Sequence, residues 1–377
     1  MEYYRLRFDF RDAAERKRVI ANLEALRAGL DKDIPAKDQD HRLLLATWNI
    51  RDLGKEYLAS FALGFDRKKM RRGAGPRSRE SYYYIAEVIS RFDFVAVQEV
   101  NDIDEWEIIV DILGRDWDYI ATDITDGRLG GNGERLLFAF DRRKVFFRKI
   151  AGEVVLPNAL LVTSAQPTGA DDMKGKQFRR TPFLASFQAG WFRFDICTVH
   201  IYYGEGAAGM DQRIQEIDRI AGFLAKYAKD ALKRAKTMFL LGDFNIMHPE
   251  HGTMAALKNH GFRSPGERYF KTNILETQYY DQIAYLAADN NVDFRRKAAV
   301  AEEDFGIFRF FDYVYKAEAA SVTEYKAQMA GAQIGTPANL ANFKDWRTYQ
   351  MSDHMPLWVR LSVNDSKDYL ERLKAAG

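Results

Sequence analysis

The feature that most restricts the fold is a series of short apolar runs, each ending in or followed by polar or ionisable side chains. Leu43–Ile50 (LLLATWNI), Phe94–Val97, Leu136–Phe140, Phe183–Phe187, Phe192–His200, Met238–Leu241, Gln282–Leu286 and Leu357–Leu361 all have the length and content of buried strands. Helical periodicity lies between some of them. Ser81–Phe92 is one such segment, and Asp211–Tyr227 another, with Ile214, Ile217, Ile220, Leu224 and Tyr227 on one face. Strands interleaved with helices imply mixed sheets covered by helices. Upstream, residues 12–30 set Val19, Ile20, Leu23, Leu26 and Leu30 on one helical stripe, followed by the polar linker DKDIPAKDQDH. The expected organisation is an N-terminal helical extension over 1–40, one domain over 41–364 and a helical tail over 365–377.

Composition narrows the function classes. Cys197 is the single cysteine, so an intramolecular disulfide and a cysteine-built zinc site are both excluded. The net charge of +2 selects no partner, so the placement of charge matters more than its sum. Aromatic residues make up 14% of the chain, which predicts a core rich in rings. The N-terminal residues are charged throughout and no window has the apolar length of a membrane span, so the expected location is cytoplasmic.

The strand ends carry the chemistry. LLLATWNI delivers Asn49, FVAVQEV delivers Gln98 and Glu99, FDICTVH delivers His200, and MFLLGDFN delivers Asp243 and Asn245. Asp353 and His354 (SDHMP) stand just before the last strand. α/β folds assemble sites in this way from distant stretches of chain. A hard cation such as Mg²⁺ takes oxygen ligands, and Glu99 offers a carboxylate with the Asn49 amide as neighbour. Hydrolysis of a phosphodiester also needs a base for water and donors for the developing charge. Asp243, Asn245, His200 and His354 are of the right types, and a carboxylate beside an imidazole would orient it and raise its pKa.

Taken in order, TWNI, VQEV, VHIYYG, LLGDFN, YDQIAY and SDHMPL resemble the motif series of the endonuclease/exonuclease/phosphatase superfamily, which includes deoxyribonuclease I-like enzymes. The resemblance runs from about Leu43 to Leu361. It implies a four-layer α/β sandwich, two mixed β-sheets face to face with helices outside. It also implies a Mg²⁺-dependent phosphodiesterase, Mn²⁺ or Ca²⁺ being possible substitutes, with an endonuclease acting on nucleic acid as the leading reading. The resemblance makes Asn49 and Glu99 metal ligands, with Asp353 completing the metal or base machinery. His200 and His354 become phosphate-facing histidines, Asp243 the residue that activates water, and Asn245 a donor to the phosphate. Glu134 (GERLLFAF) would support the first histidine, Arg180 in FRRTPF, or its neighbour Arg179, would contact phosphate, and Asp281 would be the remaining aspartate, with Asp312 its competitor. Tyr202, directly after His200 and Ile201, is placed to touch substrate.

Two departures separate the chain from particular branches. Asn101 and Asp102 follow the Gln-Glu-Val motif where some family nucleases place an arginine, and Val100 stands where the abasic-site repair branch tends to have Thr-Lys. Residues before Leu43 and Ala298–Thr348 have no recognised counterpart. Arg67–Arg79 holds seven Lys or Arg residues and reads either as an arm gripping a nucleic-acid backbone or as a solvated loop. Trp106, Trp117 and Tyr119 read as core residues around a helix. His41, His248, His251 and His260 fall outside the motifs and are expected in surface or capping roles, with His248, close after GDFN, at the rim of the site. The rival readings are the same machinery acting on a small phosphate or lipid head group, and a catalytically silent nucleic-acid-binding module.

Overall fold

The computed structural model describes residues 1–54, 77–124, 133–162, 175–233, 237–286, 304–331, 336–363, 370–371 and 373–375. Eleven strands among them form two mixed sheets. The first has the order β10 (Phe305–Ile307), β11 (Leu357–Ser362), β1 (Arg42–Leu53), β2 (Phe94–Val100), β4 (Arg135–Asp141), β3 (Trp117–Ala121). The second runs β5 (Val145–Glu153), β6 (Phe183–Ala189), β7 (Phe192–His200), β8 (Thr237–Asp243), β9 (Asp281–Leu286). Only β1/β2 and β7/β8 are parallel. A parallel pair needs a crossover, and helices fall in both connections: α2 (Arg79–Ser90) before β2, and α4 (Gly206–Lys233) before β8.

Alternation along the strands builds the layers. Leu43, Leu45, Phe94, Ala96 and Phe138 meet Phe187, Phe194, Ile196, Phe239 and Leu241 between the sheets. Their neighbours Leu44, Ala46, Trp48, Val95 and Val97 face the helices α1 (Ala13–Asp33), α2 and α3 (Ile103–Leu113). On the far side Cys197, Val199, Met238 and Leu240 pack under α4 and α5 (Gly252–Lys258). Each central strand is buried on both faces, which is why it reads as an unbroken apolar run. The result is the expected four-layer α/β sandwich.

Several expectations need correcting. Trp117 and Tyr119 join Trp106 in the core beside α3 as expected, but they lie on strand β3, paired with β4. Strands β5 and β10 carry no apolar run: β5 is an edge strand exposed along most of its length, and β10 has three residues. Ile20 and Tyr227 are exposed, whereas Val19, Leu23, Leu26, Leu30, Ile217, Ile220 and Leu224 are buried. Residues 67–76 of the basic stretch lie outside the described residues. Its two remaining cations are structural: Arg77 is buried and donates to the carbonyls of Ile50 and Arg51, and Arg79 pairs with Asp9.

Helix α1 is capped by Asp12, whose carboxylate accepts from the Glu15 N–H at 2.8 Å. Its apolar stripe joins the same core as Tyr83, Tyr84 and Ile85 of α2, and Gly29 lets the Tyr313 ring lie against its backbone. Arg18 of α1 reaches the buried Glu80 carboxylate, which also accepts from Tyr84 and Tyr325 at 2.9 and 3.2 Å. Removing the cation leaves a buried carboxylate without its partner. Arg18→Met should therefore lower the unfolding free energy in urea by about 3 kcal/mol. An unchanged midpoint would mean that α1 is an appendage, not part of the folding unit.

Candidate active site

Strand register does most of the assembly. His200, Asp243 and Asp281 are directly paired across β7, β8 and β9, so one imidazole and two carboxylates arrive at one edge of the second sheet. Gly242 allows β8 to lie this close to β7: its φ is +129°, and a Cβ there would stand 2.1 Å from the Val199 carbonyl oxygen. In the first sheet Asn49 pairs with Gln98, after which the β1/β2 register breaks. Glu99 follows with a φ of +63°, so the irregularity turns its carboxylate toward Asn49. Beneath the site the Gln98 amide donates to Thr198 Oγ1 of the other sheet at 2.9 Å and to Thr47 Oγ1 at 3.1 Å.

The Asn49 amide nitrogen donates to Glu99 Oε1 at 2.8 Å and to Asp243 Oδ2 at 3.0 Å. His200 Nε2 lies 3.5 Å from Asp243 Oδ2 and 3.8 Å from Glu99 Oε1. Its Nδ1 is 3.0 Å from Glu134 Oε1, and Arg180 closes on the same carboxylate oxygen. His354 Nδ1 is 2.7 Å from Asp281 Oδ2, and its Nε2 is 3.8 Å from Asp243 Oδ2. Asp243 Oδ1 accepts from the Asn245 backbone N–H at 2.9 Å. Asn245 has a φ of +53°, and its side-chain amide donates to the Ile201 carbonyl at 2.8 Å.

The two histidines differ electrically. Burial, reinforced by Arg180, pushes His200 down to about 4, so it is neutral at pH 7. Burial also disfavours charge on His354, but the Asp281 and Asp243 carboxylates outweigh it and hold its pKa well above the ordinary histidine value. Neutral His200 has Nδ1 3.0 Å from Glu134 Oε1, and its Nε2 lies beside Glu99 Oε1 and Asp243 Oδ2. These three ligand atoms lie within 4.8 Å of one another, a donor set that suits a divalent cation. Asn49 presents nitrogen to this group, its oxygen accepting from the Arg51 N–H at 3.0 Å, so oxygen ligation by Asn49 requires the amide to turn over.

The structure thus brings together Asn49, Glu99, Glu134, Arg180, His200, Asp243, Asn245, Asp281 and His354. Asp353 stands apart: its half-exposed carboxylate lies 3.5 Å from Arg51 and belongs to neither cluster of potential ligand atoms. Tyr202 flanks the group with Arg179 over its ring at 4.8 Å, and its N–H donates to the buried Glu216 at 3.1 Å. Of the aspartates weighed for the last position, Asp281 meets His354, whereas Asp312 lies in a short 3-10 turn elsewhere. Asp102, one of the residues departing from the family nucleases, caps α3. His251 caps α5, His260 pairs with Asp218, and exposed His248 meets the Tyr279 ring edge-on.

Sequence reasoning missed Arg213. Fully buried in α4, it donates to the Asn245 carbonyl at 2.8 Å and to the carbonyls of Tyr203 and Gly204, tying together the loops after β7 and β8. The available signal was a cation beside Ile214 on the buried face of an amphipathic helix. Ser352 was missed as well; its hydroxyl donates to the Asn49 carbonyl at 2.6 Å and accepts from the His354 N–H at 2.9 Å.

No protein-family model matches the chain. A protein named deoxyribonuclease from Thioalkalivibrio sp. (strain K90mix) is 27% identical over 222 residues, 57% of this chain and 49% of that protein. The chain therefore spans about half the length of the curated relative it matches. Its structural neighbours are endonuclease/exonuclease/phosphatase family proteins. One, from Bacteroides thetaiotaomicron, has a TM-score of 0.47 at 15% identity, with 86% of this chain and 98% of that one covered. The human nocturnin catalytic domain, with a bound sulfate anion, has a TM-score of 0.47 at 12% identity, with 86% and 95% covered.

The His354–Asp281 pair makes a pH-dependent prediction. His354 should titrate above the ordinary histidine range in metal-free protein, and Asp281→Asn should move it down, as followed by NMR of its ring nitrogens. Because the folded pKa is the higher one, the pair's contribution to stability is complete below about pH 6.5 and fades as pH rises through the folded value. A His354 titration that Asp281→Asn leaves in place would contradict this account.

Proposed function

We propose that this protein is a divalent-metal-dependent phosphodiesterase, with Mg²⁺ as the metal and nucleic acid as the substrate. The observation that carries the reading is the meeting of two carboxylates with a neutral and a cationic imidazole around one space where both sheets end. Glu99, with Asn49 beside it, would hold the cation, leaving Asp243 to act on the water. A hard divalent ion bound there supplies Lewis-acid stabilisation of negative charge on the phosphoryl oxygens.

The chain's own residues do the rest. Asp243 Oδ2 accepts the proton of a water whose oxygen attacks phosphorus in line. The P–O ester bond on the opposite side breaks, and the leaving oxygen is protonated from solvent or from His354 Nε2–H. Asp281 keeps His354 charged and oriented so that it can donate to a phosphoryl oxygen. Glu134 holds His200 by Nδ1, and Arg180, neutralising Glu134, adds positive potential to the same wall. Asn245 supports Asp243 through its backbone N–H and holds the β7 loop through its amide. In this scheme Asp353 serves to orient Arg51. The motif series and the name of the partial relative favour nucleic acid over a small phosphate.

Supercoiled plasmid should be nicked with Mg²⁺ present and left intact with EDTA. Asp243→Asn and His354→Ala should each slow cleavage roughly 100- to 10,000-fold while the far-UV circular dichroism is retained. Intact plasmid with metal-dependent hydrolysis of bis(p-nitrophenyl) phosphate would transfer the proposal to a smaller diester. Activity of both variants at the parent rate would remove the assigned roles.

A further inference from the structure

Beside His354 opens a cleft of about 730 Å³, one wall of which comes from the region without a recognised counterpart. One wall is α6 (Leu340–Gln350), anchored in the core by Phe343 and Trp346 so that Ala341, Lys344 and Thr348 line the cleft. The opposite wall is the turn at Asn273–Leu275. Its position is set by the backbone: Asn273 bridges to His354, and the Ile274 N–H donates to the Asp353 carbonyl at 2.9 Å. Arg51, two residues beyond Asn49, forms the floor, its guanidinium 3.7 Å above the Tyr349 ring and bonded to Thr348.

The lining points to an anion with an apolar part. Lys344 is exposed and, among the described residues, makes no ion pair or hydrogen bond. Arg347 is buried and forms no ion pair there either. One of its terminal nitrogens donates to the Tyr315 carbonyl at 2.8 Å, and its Nε finds no hydrogen-bond partner. Burial lowers its pKa only to about 10, so the guanidinium remains charged at neutral pH. Its guanidinium lies 4.0 Å over the Phe311 ring and feels the Asp312 carboxylate, but with no carboxylate in direct contact an anion entering the cleft would stabilise it further. The acids of the cleft offset only part of this charge, since Asp353 lies against Arg51 and only Asp345 remains. Between the cations, Ile274, Tyr280 and Leu275, the last 79% exposed, give an apolar surface of the kind on which a base can rest.

We propose that this cleft is a strand-binding subsite, receiving the nucleotide next to the scissile phosphate, with Lys344, Arg51 and Arg347 facing its phosphates and Leu275 and Tyr280 its base. Because His354 belongs to both the cleft and the catalytic group, and the Tyr280 ring stacks on it at 5.6 Å, a strand seated here presents its next phosphate to His354. The inference rests on the phosphodiesterase reading for its place in the reaction, but its test does not need turnover.

The test is fluorescence anisotropy of a labelled single-stranded oligodeoxynucleotide with the full chain in EDTA, across a salt series. Lys344→Glu should weaken binding roughly tenfold or more and reduce the salt slope by about one, while Lys344→Arg retains affinity. Arg148→Glu, an equal change of charge on edge strand β5, serves as the control and should leave affinity in place. The proposal is overturned if Lys344→Glu binds like the parent, if both charge reversals weaken binding equally, or if inorganic phosphate binds as tightly as the strand. Strand binding that depends on Lys344 in a protein hydrolysing no diester would keep the subsite and discard the catalytic reading. Hydrolysis of plasmid with strand binding indifferent to Lys344 would do the reverse.

Discussion

One amide holds the candidate site together. Asn49 comes from the first sheet and its nitrogen donates both to Glu99 of the same sheet and to Asp243 of the second. Two carboxylates set this close repel each other unless donors or cations lie between them. The neighbouring Gln98–Thr198 bond ties the sheets beneath that point, so the two halves of the sandwich are registered where the chemistry is proposed. Everything else in the site is arranged around this junction: His200 on one side, His354 on the other, and Asn245 behind.

The histidines show how environment separates identical side chains. Both are buried, and burial alone would make both neutral. Glu134 stands beside His200, but Arg180 neutralises that carboxylate and adds a positive field. His354 faces Asp281 and Asp243 with no comparable cation. One ring is therefore neutral at pH 7 and the other is favoured in its charged form. That difference comes from the neighbours, Arg180 and Asp281, more than from the imidazoles themselves.

The parts of the chain outside the motif series are not passive. Helix α1 supplies the cation for buried Glu80, and Phe343 and Trp346 anchor α6 in the same core. The core in turn holds α6 at a fixed distance from His354, so that an apolar anchor in one layer sets the width of a polar cleft beside the site. A rigid base of this kind lets a loop-bearing edge present cations without losing its geometry.

The central strands and the strand-end residues were legible in the sequence because strands buried on both faces must be continuously apolar, which makes Thr47, Asn49, Gln98 and His200 conspicuous. Edge strands β3 and β5 escaped notice because a strand with a solvated face carries no such run. The sequence alone placed Asn49, Glu99, His200 and Asp243 at the ends of apolar runs and His354 just before the last one, and the order of the motifs indicated the four-layer sandwich. Only the tertiary structure decided that Asp353 stands apart, that Arg77 and Arg213 hold backbone carbonyls of distant segments, and that Arg51, Lys344 and Leu275 share a cleft. The physical reason is range. Burial and periodicity are written locally along the chain, whereas the partner of a charge is set by which distant segments the sheets bring together. Arg51 and Lys344 are almost three hundred residues apart, and no local pattern encodes their meeting.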